Sequence, residues 1–308
     1  TNTTILGFSH THLSGTGVAD YGDVLFMPTV GDIKIMPGTE EDPESGYRSR
    51  FSHDRETTSP GYYSVMLDDY DVQVELAATS RVGFHKYTFP KSEDSHIIID
   101  LEHDITSGED PKEDCFIKII SDTEIEGLRH SRGWASDQYV YFVAKFSEAF
   151  TEALTYVDNE LQSGANEVIG KEVKAVLNYK TEANKPIMVK VGISAVSAEG
   201  ARKNLEAELA DWDFDGVVEN TKNAWNKELE KMKVKGGSEA QKTKFYTALY
   251  HALLTPNLYQ DVDGKYRGLD HEVHEGEGFD YYSVFSLWDT YRALHPLINL
   301  ISPERNVD

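Results

Sequence analysis

The feature that most constrains this chain is a change of hydrophobic period near residue 197. Before it, short runs rich in β-branched and aromatic residues follow one another: YYSVML, DVQVELAAT, HIIIDLEH, CFIKII, YVYFVAKF, KAVLNY and IMVKVGISAV. Turn residues separate them, as in SGED, KSEDS and EANKP. Val72, Val74 and Leu76 alternate with Gln73 and Glu75, a period of two that lays one face of a strand on a core. Many short strands with no helices between them predict an antiparallel β-sandwich over residues 1–197.

After residue 197 the period becomes helical. AEGARKNLEAELADW has strong helix formers behind Ser197, a capping residue. In DFDGVVENTKNAWNKELEKMKV, Val218, Trp225, Leu229 and Met232 form one apolar stripe. These two helices, near 198–211 and 216–233, read as a linker over 198–237. A third unit, 238–308, opens where Ser238 and Gln241 make a capping-box pattern before KTKFYTALYHALLTP, closed by Pro256. NLYQDVDGKYRGLDHE predicts a hairpin or loop turning at Asp263–Gly264. A last helix, near 287–300, starts at Ser286 and is interrupted by Pro296. Helices this apolar and aromatic need partners to cover them, so the chain reads as the front of something larger.

Composition narrows the partners. The 308 residues include 53 acidic and 30 basic side chains, a net charge of −23. That balance argues against nucleic acid, because a phosphate backbone would be repelled. It suits a neutral or cationic ligand. No apolar run approaches the length of a membrane span. The opening TNTTILGF has no basic-then-apolar signal, although one removed by processing is compatible with it. The single Cys115 excludes an internal disulfide framework and reads as a buried strand residue.

Three stretches carry candidate chemistry. In GFSHTHLSGTG, residues 7–17, His10 and His12 would share one strand face among glycines and hydroxyls. Two imidazoles make half a metal site, and spacing places no third ligand. Ser9 or Ser14 as a nucleophile lacks a strand–elbow–helix context, and phosphate cradling lacks a following helix. Contact with a sugar survives, beside the plainer reading of a polar loop at a sheet edge. In FSLWDTYRALHPL, Trp288, Asp289 and Arg292 fall in the first turns of one helix. Asp289 and Arg292 are spaced to pair. A ring, a carboxylate and a guanidinium suit a sugar. The residues alone lean to the plainer reading, with Asp289 completing a cap with Ser286 and Trp288 in the core. The third stretch, QDVDGKYRGLDHEVHEGEG, fails the EF-hand pattern and reads as a solvated acidic loop.

Taken in order, GFSHTHLSGTG, DYGDVLFMPTVG, TSRVGFHKYTFP, VGISAVSAEGARKNLEAE, FYTALYHALLTPN, DVDGKYRG and YSVFSLWDTYRALHPL resemble glycoside hydrolase family 92 across nearly the whole chain. The family comprises exo-acting, inverting, calcium-dependent α-mannosidases of glycan-consuming bacteria, typically secreted. The resemblance implies a sandwich, a helical linker and the first helices of an (α/α)6 barrel, with the site between sandwich and barrel. It places His10, His12 and Ser14 in the wall of a mannose pocket and brings Trp288, Asp289 and Arg292 to it. Family members carry more strand sequence before GFSHTH and continue well past HPL. The general acid Glu, the base Asp and the calcium ligands lie in that later part, so no residue here is assigned as catalytic or metal-binding. The implied protein is secreted or periplasmic and acts on a mannose-containing glycan, α-1,2 linkages favoured; the 308-residue chain alone is expected to be inactive. Two other readings stand beside it: a non-catalytic carbohydrate-binding sandwich, and another sandwich-plus-(α/α)6 hydrolase or phosphorylase.

Overall fold

The structure, a computed structural model, describes residues 3–13, 20–105, 114–283 and 286–308. Among these, the strands form two large antiparallel sheets. The nine-stranded sheet runs, in spatial order, Glu167–Gly170, Cys115–Ser121, Glu124–Ser131, Gln138–Phe146, Pro186–Ser194, Val82–Thr88, Val72–Ala78, Tyr62–Leu67 and Glu56–Ser59. The five-stranded sheet runs Glu160–Leu161, Glu152–Val157, Val173–Thr181, Ser92–Asp100 and Leu25–Val30. One core joins their facing sides: Val72, Val74, Phe142 and Val189 from the first sheet meet Phe26, Ile97, Ile99 and Leu177 from the second. The sandwich expected from period two is therefore present, with Val72, Val74 and Leu76 turned to that core.

The nine-stranded sheet is covered on its other face as well. Helices α1 (Ala198–Glu208) and α2 (Phe214–Leu229) bring Ala201, Leu205, Leu209, Phe214 and Val217 onto Ala77, Val82, Phe84 and Val143. Ser197 caps α1, its hydroxyl accepting from Gly200 N at 3.0 Å. Asp213 caps α2 in the same way at Gly216 N, so the helix starts at Phe214, earlier than the stripe predicts. Between them Lys190, almost wholly buried, rises from the sheet and donates to the carbonyls of Leu209, Ala210 and Asp211 at 3.0–3.3 Å. Its ammonium also lies 4.1 Å over the Trp212 ring. A cation among unsatisfied carbonyls past a helix C-terminus satisfies both partners.

The C-terminal part begins with α3 (Glu239–Ala252), whose Ser238–Gln241 capping box forms as read: Ser238 N donates to Gln241 Oε1 at 2.8 Å and Gln241 N to Ser238 Oγ at 3.3 Å. The hairpin forms too. Its strands, Lys265–Arg267 and Val273–Glu275, are joined through residues 268–272 rather than at Asp263–Gly264, where a separate tight turn precedes the first strand with Gly264 at a left-handed φ of 87°. The expectation of a solvated loop is corrected at Asp261, which is buried. Its Oδ2 accepts from Ser194 Oγ and its Oδ1 from Asn204 Nδ2, both at 2.7 Å. The helix expected over 287–300 is two, α4 (Leu287–Thr290) and α5 (Leu294–Ile301), broken before Pro296 rather than at it. In one continuous helix the Pro296 ring would strike the carbonyl of Arg292; a break at 291–293 removes that clash and leaves the proline in a first turn. None of the described helices is long and apolar enough to cross a membrane.

Asp261 pins the hairpin segment to strand Pro186–Ser194 and to α1. Replacing it by alanine leaves two buried donors unpaired, so Asp261→Ala should lower unfolding free energy by about 1–3 kcal/mol. Protease cleavage within 257–283 should also quicken. Urea unfolding and timed proteolysis check this; wild-type cleavage rates would refute the anchor.

Candidate functional site

A cavity of about 280 Å³ lies where the sandwich meets the segment after α3. The sandwich side supplies His10, Thr11, His12, Tyr21, Arg81, Gln138 and Tyr139; the other side supplies Asn257–Asp261 and Ser283. A wider cleft of about 420 Å³ adjoins it and shares His10, Ser80, Arg81 and Ile193.

The wall is set by a contorted turn. Tyr21, Gly22 and Val24 all have left-handed φ, at 67°, 86° and 56°. That is costly for a β-branched residue and persists only where surrounding contacts dictate it. The contact here is Asp23, 1% exposed. Arg129 Nε, on a side chain equally buried, stands 3.1 Å from Asp23 Oδ1, a charge contact rather than an aligned hydrogen bond. Thr11 Oγ1 and Gln138 Nε2 each donate to Asp23 Oδ2 at 2.7 Å. Burial raises the Asp23 carboxyl's pKa, and the Arg129 guanidinium works against that rise. Asp23 is ionised beside Arg129, because protonating it would leave a buried cation without a counter-charge.

His10 packs inward on the same wall. Its Nδ1–H donates to Val24 O at 2.6 Å, which fixes the tautomer and leaves Nε2 as acceptor. His85 Nε2–H then donates to His10 Nε2 at 2.9 Å, and Tyr87 O–H donates to His85 Nδ1 at 2.7 Å. The two imidazoles stack with centroids 4.8 Å apart. Gly83 makes room for this: a Cβ there would stand 2.9 Å from His10 Cδ2. The chain needs both rings neutral. Burial lowers His10 to about 4 and drives His85 well below its ordinary value.

The sequence-derived candidates separate. His10 and His12 both line the cavity, but not as two side chains on one regular strand face. Residues 8–12 make only isolated bridges, Phe8 to Phe26 and His12 to Tyr21, so His10 turns in while His12 is exposed. Ser14 lies outside the described residues. Trp288, Asp289 and Arg292 are all exposed on and just after α4 and are not among the residues lining the cavity. The Asp289–Arg292 pair does not form; Arg292 Nε donates instead to Tyr291 Oη at 2.8 Å. Within these 308 residues Trp288 is 80% exposed, and Ser286 makes no side-chain cap bond. Unforeseen are Gln138, Arg81 and Asp261. Each is a polar residue in an otherwise strand-like or loop-like string, and nothing local marks Gln138 and Asp261 as buried or Arg81 as half-buried.

Comparison with known proteins follows the same division. The model described as Glycosyl hydrolase family 92 N-terminal domain matches residues 1–194, and Glycosyl hydrolase family 92 catalytic domain matches 200–308. A family GH92 alpha-mannosidase from Bacteroides thetaiotaomicron superimposes over 100% of the chain with a TM-score of 0.95 at 42% identity. It has also been solved in complex with mannoimidazole, with a TM-score of 0.94. A family GH92 inverting mannosidase from Bacteroides thetaiotaomicron VPI-5482 aligns over 97% of the chain, with a TM-score of 0.84 and 28% identity. An uncharacterized secreted glycosidase of Arthroderma benhamiae is 24% identical over 94% of the chain. The chain spans 42%, 39% and 39% of the lengths of these three proteins.

The neutral pair, His85 buried and His10 half-buried, ties stability to pH. The unfolded state takes a proton at His10 near 6.5 and the native state only near 4, so the unfolded chain binds more protons between these values. The stability is present above about 6.5 and lost as pH falls through 4. Urea unfolding at pH 7 and pH 4.5 should show wild type losing about 2–3 kcal/mol more than His10→Gln. Equal losses would show that His10 is not held neutral.

Proposed function

The chain belongs to glycosyl hydrolase family 92, and from that premise we propose that it is part of an exo-acting, inverting α-mannosidase. It trims mannose from glycans, with α-1,2 linkages preferred. The observation that carries this reading is the placing of the cavity. One wall comes from residues matched by the N-terminal family model and the other from residues matched by the catalytic one. The reported complex of a 42%-identical relative with mannoimidazole supports a mannose-shaped ligand. Inversion needs a carboxylic acid to protonate the leaving oxygen and a carboxylate to activate water, roughly 6.5–9.5 Å apart. In this reading both belong to the part of the enzyme that follows residue 308, and this chain supplies the glycone wall. His10 and His12 line that wall, and Ser14 is proposed as a further sugar contact on the strength of the family resemblance alone. Placement outside the cell fits the secreted glycosidase of Arthroderma benhamiae.

Calcium is part of the proposal for the full-length enzyme. Among the described residues no three His, Cys, Asp or Glu side chains are grouped to hold a metal ion. The buried carboxylates Asp23 and Asp261 are taken by Arg129, Thr11, Gln138, Ser194 and Asn204. These residues do not fit a calcium seat.

Full-length protein should hydrolyse an aryl α-mannoside with inversion, followed by NMR of the first-formed anomer, and lose activity to a chelator. The purified 308-residue chain should be inert under the same conditions, because general acid–base groups typically contribute about 10²–10⁴-fold each. Turnover by that chain would place the carboxylates within it.

Trp288 and Asp289 are proposed to line the glycone pocket of the full-length enzyme. Both sit in the single turn of α4 that opens the last helical stretch. Asp289→Ala in that enzyme should lower kcat/KM at least about tenfold with an unchanged melting temperature. A lowered melting temperature with normal kinetics would remove Asp289 from the site.

A further inference from the structure

Arg81 stands where the two cavities meet, and lines both of them with His10, Ser80 and Ile193. Its guanidinium is fastened at two nitrogens. Nη1 donates to Glu208 Oε1 at 2.6 Å, and Nε donates to Gln260 O. Glu208 is held in turn, because its Oε2 accepts from Arg81 N at 2.9 Å and from Thr79 Oγ1. A planar guanidinium tied at two nitrogens has its third fixed in direction. That third nitrogen, Nη2, donates to none of the described residues and is open to solvent. It keeps its N–H donors for an incoming acceptor. The charge of Arg81 is already balanced by Glu208, so the acceptor that suits it is a neutral oxygen, such as a sugar hydroxyl or ether, rather than an anion.

The wider cleft has a lining of its own. It reaches the edge strand Glu56–Ser59, where Thr58 and Ser59 are exposed hydroxyls, and it includes the half-buried rings of Tyr62 and Tyr63. The two phenols donate to Glu75 and Glu56, at 3.0 and 2.7 Å, which holds the rings in place. Fixed rings beside hydroxyls suit the mixed apolar and polar faces of a sugar. A ligand that fills both spaces has to pass Arg81 and Ser80. We propose that the site takes two linked sugars, the terminal mannose in the smaller cavity and the next sugar in the wider cleft, with Arg81 Nη2 donating to an oxygen of the ligand at the crossing. This rests on the α-mannosidase reading for the identity of the terminal sugar.

The test uses full-length enzyme and two substrates: the best-cleaved α-linked mannobiose, and α-mannosyl fluoride, whose small leaving group does not reach the wider cleft. Arg81→Lys keeps a cation for Glu208 and removes the guanidinium end. It should lose at least about tenfold more kcat/KM on the disaccharide than on the fluoride. Equal losses on both, or no loss, overturn the proposal and leave Arg81 as a fastener between strand, helix and the segment after α3. A second variant covers the case in which Arg81→Lys does not fold. Thr58 is exposed on an edge strand and lines the wider cleft but not the smaller cavity, so Thr58→Trp spares the core and puts an indole in the cleft. It should show the same selective loss on the disaccharide. A wild-type rate on mannobiose for Thr58→Trp puts the second sugar elsewhere and overturns the proposal. A wild-type enzyme inert toward the fluoride and every mannobiose overturns the α-mannosidase reading itself, an outcome distinct from all the others.

Discussion

Asp23 and Arg129 form an ion pair inside the sandwich, each 1% exposed, and the shape of the cavity wall hangs on it. Taking two charges out of water costs several kcal/mol per ion, and their attraction recovers that only when the remaining polar atoms are occupied. Thr11 and Gln138 occupy the second carboxylate oxygen, and Arg129 Nη1 reaches Leu101 O at 2.8 Å. The pair thus ties together the opening segment, two neighbouring strands of the large sheet and the end of a strand in the small one. An apolar pair could fill the same volume. It could not hold Tyr21, Gly22 and Val24 left-handed, and that contortion turns Tyr21 into the cavity and the Val24 carbonyl toward His10.

The opposite wall is secured by the same chemistry in another place. Asp261, buried and raised in pKa by desolvation, is held by Ser194 at the end of a central strand and by Asn204 on α1. Asn204 also receives Val262 N on its Oδ1, and Arg81 donates to Gln260 O. Both walls of the cavity are therefore fastened to one rigid sheet, covered on both faces. The cavity inherits its geometry from the most buried part of the molecule. That is the arrangement a sugar pocket requires, because discrimination among hydroxyls needs hydrogen-bonding groups fixed before the ligand arrives.

Legibility in the sequence followed the burial pattern strand by strand. Val72–Ala78 packs one side on the main core and alternates cleanly, so it was readable. Glu124–Ser131 turns Ile125, Gly127, Arg129 and Ser131 inward, a string that does not look apolar because it carries the buried cation. Val82–Thr88 is buried on both faces, with Val82 and Phe84 under the helices and His85 and Tyr87 in the sandwich, so its period vanishes. Caps at Ser197 and Ser238 were legible because a cap is satisfied within four residues. The break before Pro296 follows from the same local rule, applied to the carbonyl four residues earlier.

The sequence by itself determined what depends on neighbours along the chain: the switch from period two to 3.6, the helix starts, the turn at Asp263–Gly264 and the ordered motifs of the family. Only the tertiary structure decided which polar residues are inside. Thr11, Asp23, Arg129 and Gln138 are spread over more than a hundred positions, yet share one carboxylate. Asp261 meets residues 67 and 57 positions away. A charge is driven into a core only when its partners arrive together, and that depends on strand register and sheet packing, which no local window contains.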